Sequence, residues 1–250
     1  MESFHINHPI RDDTLNLDIC PMYPTFFKIS LRPLLLTIFI LFSYDSQSQI
    51  VKDDLIVFIG EKISLERDTN DKMFGIDTII NGQDTIFSGW QKLGYKYEAK
   101  YKVLDKIHGH YDKDTIDFVL YDHEGNPEVA EHNTVMLFVS KVDGVLYHQK
   151  YQYFPMYITT EGRWASPYSV QDYNHAYKYS ITVKPEIIPF KDEVYFSVIH
   201  LHPDKIAKIY SPQYFEIRDR KAYTRYGNYP DDLLKLKLQT VLKARGIYLE

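Results

Sequence analysis

His108 and His110 stand two residues apart, with Asp112 and Asp114 just beyond them. On an extended strand, side chains at i and i+2 point the same way. Two imidazoles and a nearby carboxylate could then hold zinc. Gly109 and Tyr111 give the segment turn character, which would splay such ligands. His108 and His110 are therefore weak metal candidates, and the expectation is solvated turn residues and no metal. His200 and His202 repeat the spacing, but Pro203 follows and the pattern reads as entry into a helix. Asp122-His123-Glu124 joins two acids to an imidazole, yet it runs into Gly125-Asn126-Pro127 and reads as a polar turn. There is no HExxH zinc motif, no GxSxG nucleophile elbow and no phosphate-cradling glycine loop. No catalytic residue and no cofactor are expected. A hydrolase whose carboxylates come from distant parts of the chain needs no local motif, and it stays open as an alternative.

The richest candidate for binding runs from Tyr147 to Trp164. It interleaves aromatic and basic residues: Tyr147, His148, Lys150, Tyr151, Tyr153, Phe154, Tyr157, Arg163 and Trp164. Such surfaces stack on sugars, peptides or bases. Tyr147, Lys150, Tyr151, Tyr153, Arg163 and Trp164 are the candidate ligand-binding residues. The competing reading is ordinary packing between two parts of the chain.

Strands must position these residues. Residues 54–66, DLIVFIGEKISLE, are apolar on both parities at the start and on one parity later, with Gly60 where a bend or bulge fits. Residues 67–93 carry Asn81-Gly82 between DTII and QDTIF, which predicts a projecting hairpin. Tyr95, Tyr97, Ala99, Tyr101 and Val103 alternate with charged residues, the pattern of a strand with one buried face. Strands follow at 115–121, 134–139 and 145–154, the last two joined by Asp143-Gly144. Beyond Pro155 the pattern loosens to short strands at 156–160, 179–183 and 194–199 and a hairpin around Asp219. One helix is predicted from about Pro230 to Arg245. Asp231 and Asp232 lie at its start and Lys243 and Arg245 at its end. Its apolar stripe is Leu234, Leu238, Val241 and Leu242, with Leu233 beside it.

Residues 34–42, LLLTIFILF, follow Lys28 and Arg32 and precede a polar, small-residue stretch. That order is the pattern of a secretory signal peptide with its core at 28–48. The run is about half of the roughly 20 residues a membrane helix needs. The expectation is export to a periplasmic, secreted or cell-surface location, with an N-terminal membrane anchor as the alternative if the leader is uncleaved. Residues 1–21 are acidic where a leader is basic, and Met22 reads as the better start. Cys20 is the single cysteine. The segment beyond the leader has no thiol and must hold together through its core.

The chain has 250 residues, 22 of them tyrosine, and a net charge of −5. That charge gives no electrostatic case for nucleic acid. The domain plan is a leader at 1–48, a barrel at 49–155 and an extension at 156–250 with its helix near 230–245. Five strands with tight turns predict a mainly β chain: an OB-like closed five-stranded Greek-key barrel with a C-terminal β/helix extension.

Residues 50–155 also resemble the netrin-like family, which includes the tissue inhibitors of metalloproteinases. The carriers are DLIVFIGEKISLE at 54–66, YKVLDKIHG at 101–109 with Lys106 and Gly109 at a corner, DTIDFVLYD at 114–122 and TVMLFVS at 134–140. The resemblance implies the OB fold. It does not bring the inhibitors' zinc-gripping N-terminal cysteine, which this chain lacks. The functional expectation is an exported, non-enzymatic binding module for an unknown protein or glycan. An accessory subunit of an envelope assembly is a further alternative.

Overall fold

The computed structural model describes residues 55–72, 74–81, 84–92 and 94–249. All of them fall within the unit Ser48–Glu250. The expected leader, the start at Met22 and Cys20 lie outside the described residues.

Five strands close into a barrel: β1 (Leu55–Arg67), β4 (Tyr95–His108), β5 (Thr115–Asp122), β6 (Thr134–Val142) and β7 (Val145–Pro155), in the order β1-β4-β5-β7-β6 and back to β1. Four seams are antiparallel; the β5–β7 seam is parallel and held by the single pair Val119 and Tyr147. Counting barrel strands alone, this is the 1-2-3-5-4 order of an OB-like Greek-key barrel. A 3₁₀ turn at Glu128–Glu131 joins β5 to β6 and sends Val129 into the barrel interior.

The two apolar parities of β1 serve two cores. Ile56 and Phe58 face the barrel interior with Tyr97, Ala99, Tyr101, Ile116, Phe118 and Leu137. Leu55, Val57 and Ile59 face outward, where Met136, Phe138 and Phe154 meet Leu233, Leu236 and Leu242 of the C-terminal helices and Ile247 just beyond them. The barrel is thus buried on its β1–β6–β7 side, and that is why β1 and β6 read as continuous apolar runs. At Gly60 the β1–β4 register shifts. A Cβ there would lie 2.7 Å from the Phe58 ring, so the bulge depends on glycine. Gly109, at φ +79°, ends the corner after β4, where a Cβ would meet the Leu55 carbonyl at 2.4 Å.

Tyr101 is fully buried, stacks on Phe118 at 5.6 Å between ring centroids, and has a hydroxyl with no hydrogen-bond partner. Burial pushes its pKa up to about 12. Tyr101→Phe removes an uncompensated polar group and keeps the ring. It is expected to leave stability unchanged or raise it by about 1 kcal/mol. Denaturant unfolding checks this, and a loss of that size would show that the hydroxyl does have a partner.

Between β1 and β4 a two-stranded ribbon projects, β2 (Phe74–Asn81) with β3 (Asp84–Gln91), as the Asn-Gly signal predicts. The extension holds β8 (Tyr157–Ile158), β9 (Trp164–Pro167), β10 (Glu186–Ile187), β11 (Val194–Ser197), β12 (Phe215–Arg218), β13 (Lys221–Thr224) and β14 (Tyr226–Asn228). They form the sheets β10-β14-β9-β8 and β11-β13-β12. Its helices are α1 (Val170–Tyr173), α2 (Pro203–Ile209), α3 (Pro230–Gln239) and α4 (Val241–Ala244).

Two expectations for the extension change. Residues 179–183 form no strand. Lys178–Ser180 is a 3₁₀ turn, and the Thr182 N–H donates to the Gln239 side chain at 2.9 Å instead of a neighbouring strand, while Val183 is buried in the core between barrel and extension. The single helix at 230–245 is two. Thr240 leaves helical geometry at φ −123°, ψ −103°, and its hydroxyl donates to the Leu236 carbonyl at 2.7 Å. The break shifts the buried face to Leu233, Leu236 and Leu242, with Leu234, Leu238 and Val241 only partly covered.

Candidate functional site

β7 does not run straight. Leu137 pairs with Tyr153 and Val139 with His148, so Gln149 to Gln152 all lie against Phe138 and the strand arches outward. The neck of the arch is closed by His148, whose Nε2–H donates to the Gln152 carbonyl at 2.8 Å. Its flank is held by Arg245, which donates to the Gln149 side-chain oxygen and to the Lys150 carbonyl, both at 2.8 Å. Tyr151 occupies the arch at φ +64°, in the left-handed region that a tyrosine seldom adopts. Such strain persists where the surroundings enforce it, often at functional sites.

Facing the arch is the end of β5 and the turn after it. Asp122 is buried, and its Oδ1 accepts from the N–H groups of Glu124 at 2.8 Å and Gly125 at 3.2 Å. This is the polar turn that the Gly-Asn-Pro sequence implies. The turn places His123 against Tyr151, with ring centroids 5.6 Å apart at 77° and Nδ1 in a hydrogen bond with the tyrosine hydroxyl. The Tyr153 hydroxyl donates to Glu128 Oε2 at 3.2 Å, and burial raises the Tyr153 pKa.

Between arch and turn lies a cleft of about 280 Å³. Asp122, Glu124 and Glu128 supply carboxylates, Tyr121, Tyr151 and Tyr153 supply rings, and His148 lies at the arch's neck; no lysine or arginine lines it. A cleft of this kind favours a cationic or hydroxyl-rich group resting against an aromatic face. A larger cavity of about 640 Å³ lies in the extension, but Arg218 and Glu193 on its wall pair with each other at 2.5 Å.

Of the residues expected at a binding face, Tyr151 and Tyr153 line this cleft. Lys150 sits on the arch with Nζ 5.0 Å from the Tyr151 ring centre, and Tyr147 precedes the arch in the parallel pair. Arg163 and Trp164 are not part of the cleft. Arg163 lies over the Tyr229 ring at 3.6 Å, and Trp164 packs against the core between barrel and extension. Asp122 and Glu128 line the cleft, and Arg245 holds the arch beside it, from segments where no binding role was expected. Their signal is visible only in three dimensions, because Arg245 is far from the arch in sequence.

His108 ends β4 opposite Val57, and exposed His110 places Nε2 3.0 Å from Asp112 Oδ2. Among the described residues no group of three or more His, Cys, Asp or Glu side chains is arranged to hold a metal ion. His202 caps α2, with its Nδ1 accepting from the Asp204 N–H at 3.4 Å, in keeping with helix entry. Among the described residues no helix is long and apolar enough to cross a membrane.

No protein-family model, curated protein or solved structure matches this chain.

Proposed function

We propose that the chain is an exported, non-enzymatic binding module that takes a protein or glycan partner in the cleft between the β7 arch and the β5 turn. The observation that carries this reading is the cleft's lining: three tyrosine rings, Tyr121, Tyr151 and Tyr153, and three carboxylates, with no lysine or arginine among them. A lysine or arginine from a protein partner, or the hydroxyl face of a sugar, matches that chemistry. The apolar run at 34–42 supports export. The barrel order, with the apolar-Gly-basic-apolar opening strand and the Lys106–Gly109 corner, supports kinship with the netrin-like family.

The test is binding of the full chain to a glycan array and to a lysine-rich peptide library, compared with Tyr151→Ala and Glu128→Gln. Each substitution is expected to weaken binding at least tenfold while leaving the unfolding midpoint near that of the unsubstituted chain. Equal binding by all three proteins would remove the cleft from the proposal.

A second reading, a hydrolase with dispersed carboxylates, is favoured by one observation: Asp122, Glu124 and Glu128 line a single cleft. Two of those groups already accept hydrogen bonds from within the chain, Asp122 from backbone N–H groups and Glu128 from Tyr153. That is why binding is the preferred reading. Turnover of a bound glycan, abolished by Glu128→Gln, would reverse the preference.

A further inference from the structure

The ribbon of β2 and β3 makes its substantial contacts only within itself. Its register puts Phe74, Ile76, Thr78, Ile80, Thr85, Phe87, Gly89 and Gln91 on one face. Four of these are large apolar residues standing in solvent: Phe74 is 78% exposed, Ile80 76%, Ile76 72% and Phe87 69%. No residue of that face carries a charge. An isolated two-stranded hairpin is at best marginally stable in water unless an apolar face is covered.

We propose that a second copy of this chain covers the face, the two ribbons packing face to face about a two-fold axis. Three observations select that occupant. The first is area. Four such side chains present on the order of 500 Å², and two copies together reach the roughly 1,000 Å² that a specific interface needs. The second is charge. Packing this face on itself brings no ionised group out of water, and Asp77 lies on the opposite face of the ribbon. The third is shape. Gly89, opposite Ile76, carries no side chain and leaves an opening on that face. A two-fold axis places each copy's Phe87 over the other's opening, an isologous contact that closes at two copies. Joining the ribbons edge to edge would leave both apolar faces wet.

A lipid bilayer is the rival occupant, and the composition argues against it. The sequence from Phe74 to Gln91 has no lysine or arginine to meet lipid headgroups, and Lys92 at its base is paired with Asp71. The sequence at the far end of the ribbon, residues 81–84, reads NGQD and is polar. This proposal does not depend on the cleft.

The test uses the full chain with Cys20→Ser, so that one introduced cysteine is the only thiol. Thr78→Cys, in the middle of the proposed contact, is expected to form a disulfide-linked dimer under mild oxidation, and Asp77→Cys on the other face is expected not to. Sedimentation equilibrium of the unsubstituted chain is expected to give a dimer at micromolar concentration. Ile76→Asp with Phe87→Asp is expected to give a monomer whose near-ultraviolet circular dichroism still reports a packed barrel. Since misfolding could obscure that variant, Ile80→Lys alone serves as the milder second test, expected to weaken the dimer at least tenfold. A monomeric unsubstituted chain, equal cross-linking at positions 77 and 78, or a dimer indifferent to these substitutions would overturn the proposal. So would a monomer that sediments with neutral phosphatidylcholine vesicles through the ribbon.

Discussion

Between pH 6.5 and pH 4 the folded chain is expected to lose about 3 kcal/mol of stability through His148 alone. The ring is buried, its Nε2–H is committed to the Gln152 carbonyl, and its Nδ1 has no partner. A proton added at Nδ1 would therefore sit in the interior without an acceptor. Burial holds the pKa down to about 4, the Gln152 hydrogen bond opposes this in part, and the nearby Arg245 charge lowers it further. In the unfolded chain the same ring titrates near its ordinary 6.5. Above pH 6.5 both states hold a neutral ring and His148 gives stability no pH dependence. As pH falls below 6.5 the unfolded chain takes up the proton first and stability drops, until the folded state also protonates near pH 4 and the loss levels off. Denaturant unfolding at pH 7 and pH 4.5, compared with His148→Gln, isolates the effect from that of the carboxylates. A pH dependence as steep in His148→Gln as in the unsubstituted chain would refute it. Because His148 closes the neck of the arch, the same acidification is expected to loosen Tyr151.

Asp172→Ala is expected to cost about 3 kcal/mol, most of it recovered by adding Lys237→Met. Lys237 projects from α3 with its side chain only 8% exposed. Its ammonium lies 2.9 Å from Asp172 Oδ1 and 4.4 Å from the centre of the Phe154 ring. Removing the carboxylate strands a positive charge between a helix and the outer face of the barrel, where water cannot readily follow. Replacing both partners leaves a packed apolar stem and no orphaned charge. Unfolding free energies of the two single variants and the double variant form the required cycle. If Asp172→Ala stays within about 0.5 kcal/mol of the starting protein, the pair is a surface decoration and not a joint between α1 and α3.

The barrel was legible because its strands keep their alternation locally. Tyr97, Ala99 and Tyr101 point inward in β4 for the reason their spacing implies, β2 and β3 pair up to Asn81 and Asp84, and Asp143-Gly144 sits between the paired strands it was expected to join. The extension was less legible because its backbone satisfies itself through side chains. The Thr182 N–H goes to Gln239, and the Thr240 hydroxyl turns back on Leu236 and ends α3 early. No periodicity carries those choices. The cleft was half legible. Tyr151 and Tyr153 stood out as aromatics among bases, but the arch that presents them follows from a register slip against Phe138. Trp164 drew notice for the same composition and instead fills the seam between barrel and extension.

The arginine that clasps the arch lies 95 residues downstream of the carbonyl it holds at Lys150. On a growing chain the five barrel strands can all be made, and the cylinder can close, while this fastener is still unsynthesised. The barrel and the arch are thus completed at different moments. A nascent or truncated product without the last helix would keep the staves and lack the hoop that sets Tyr151.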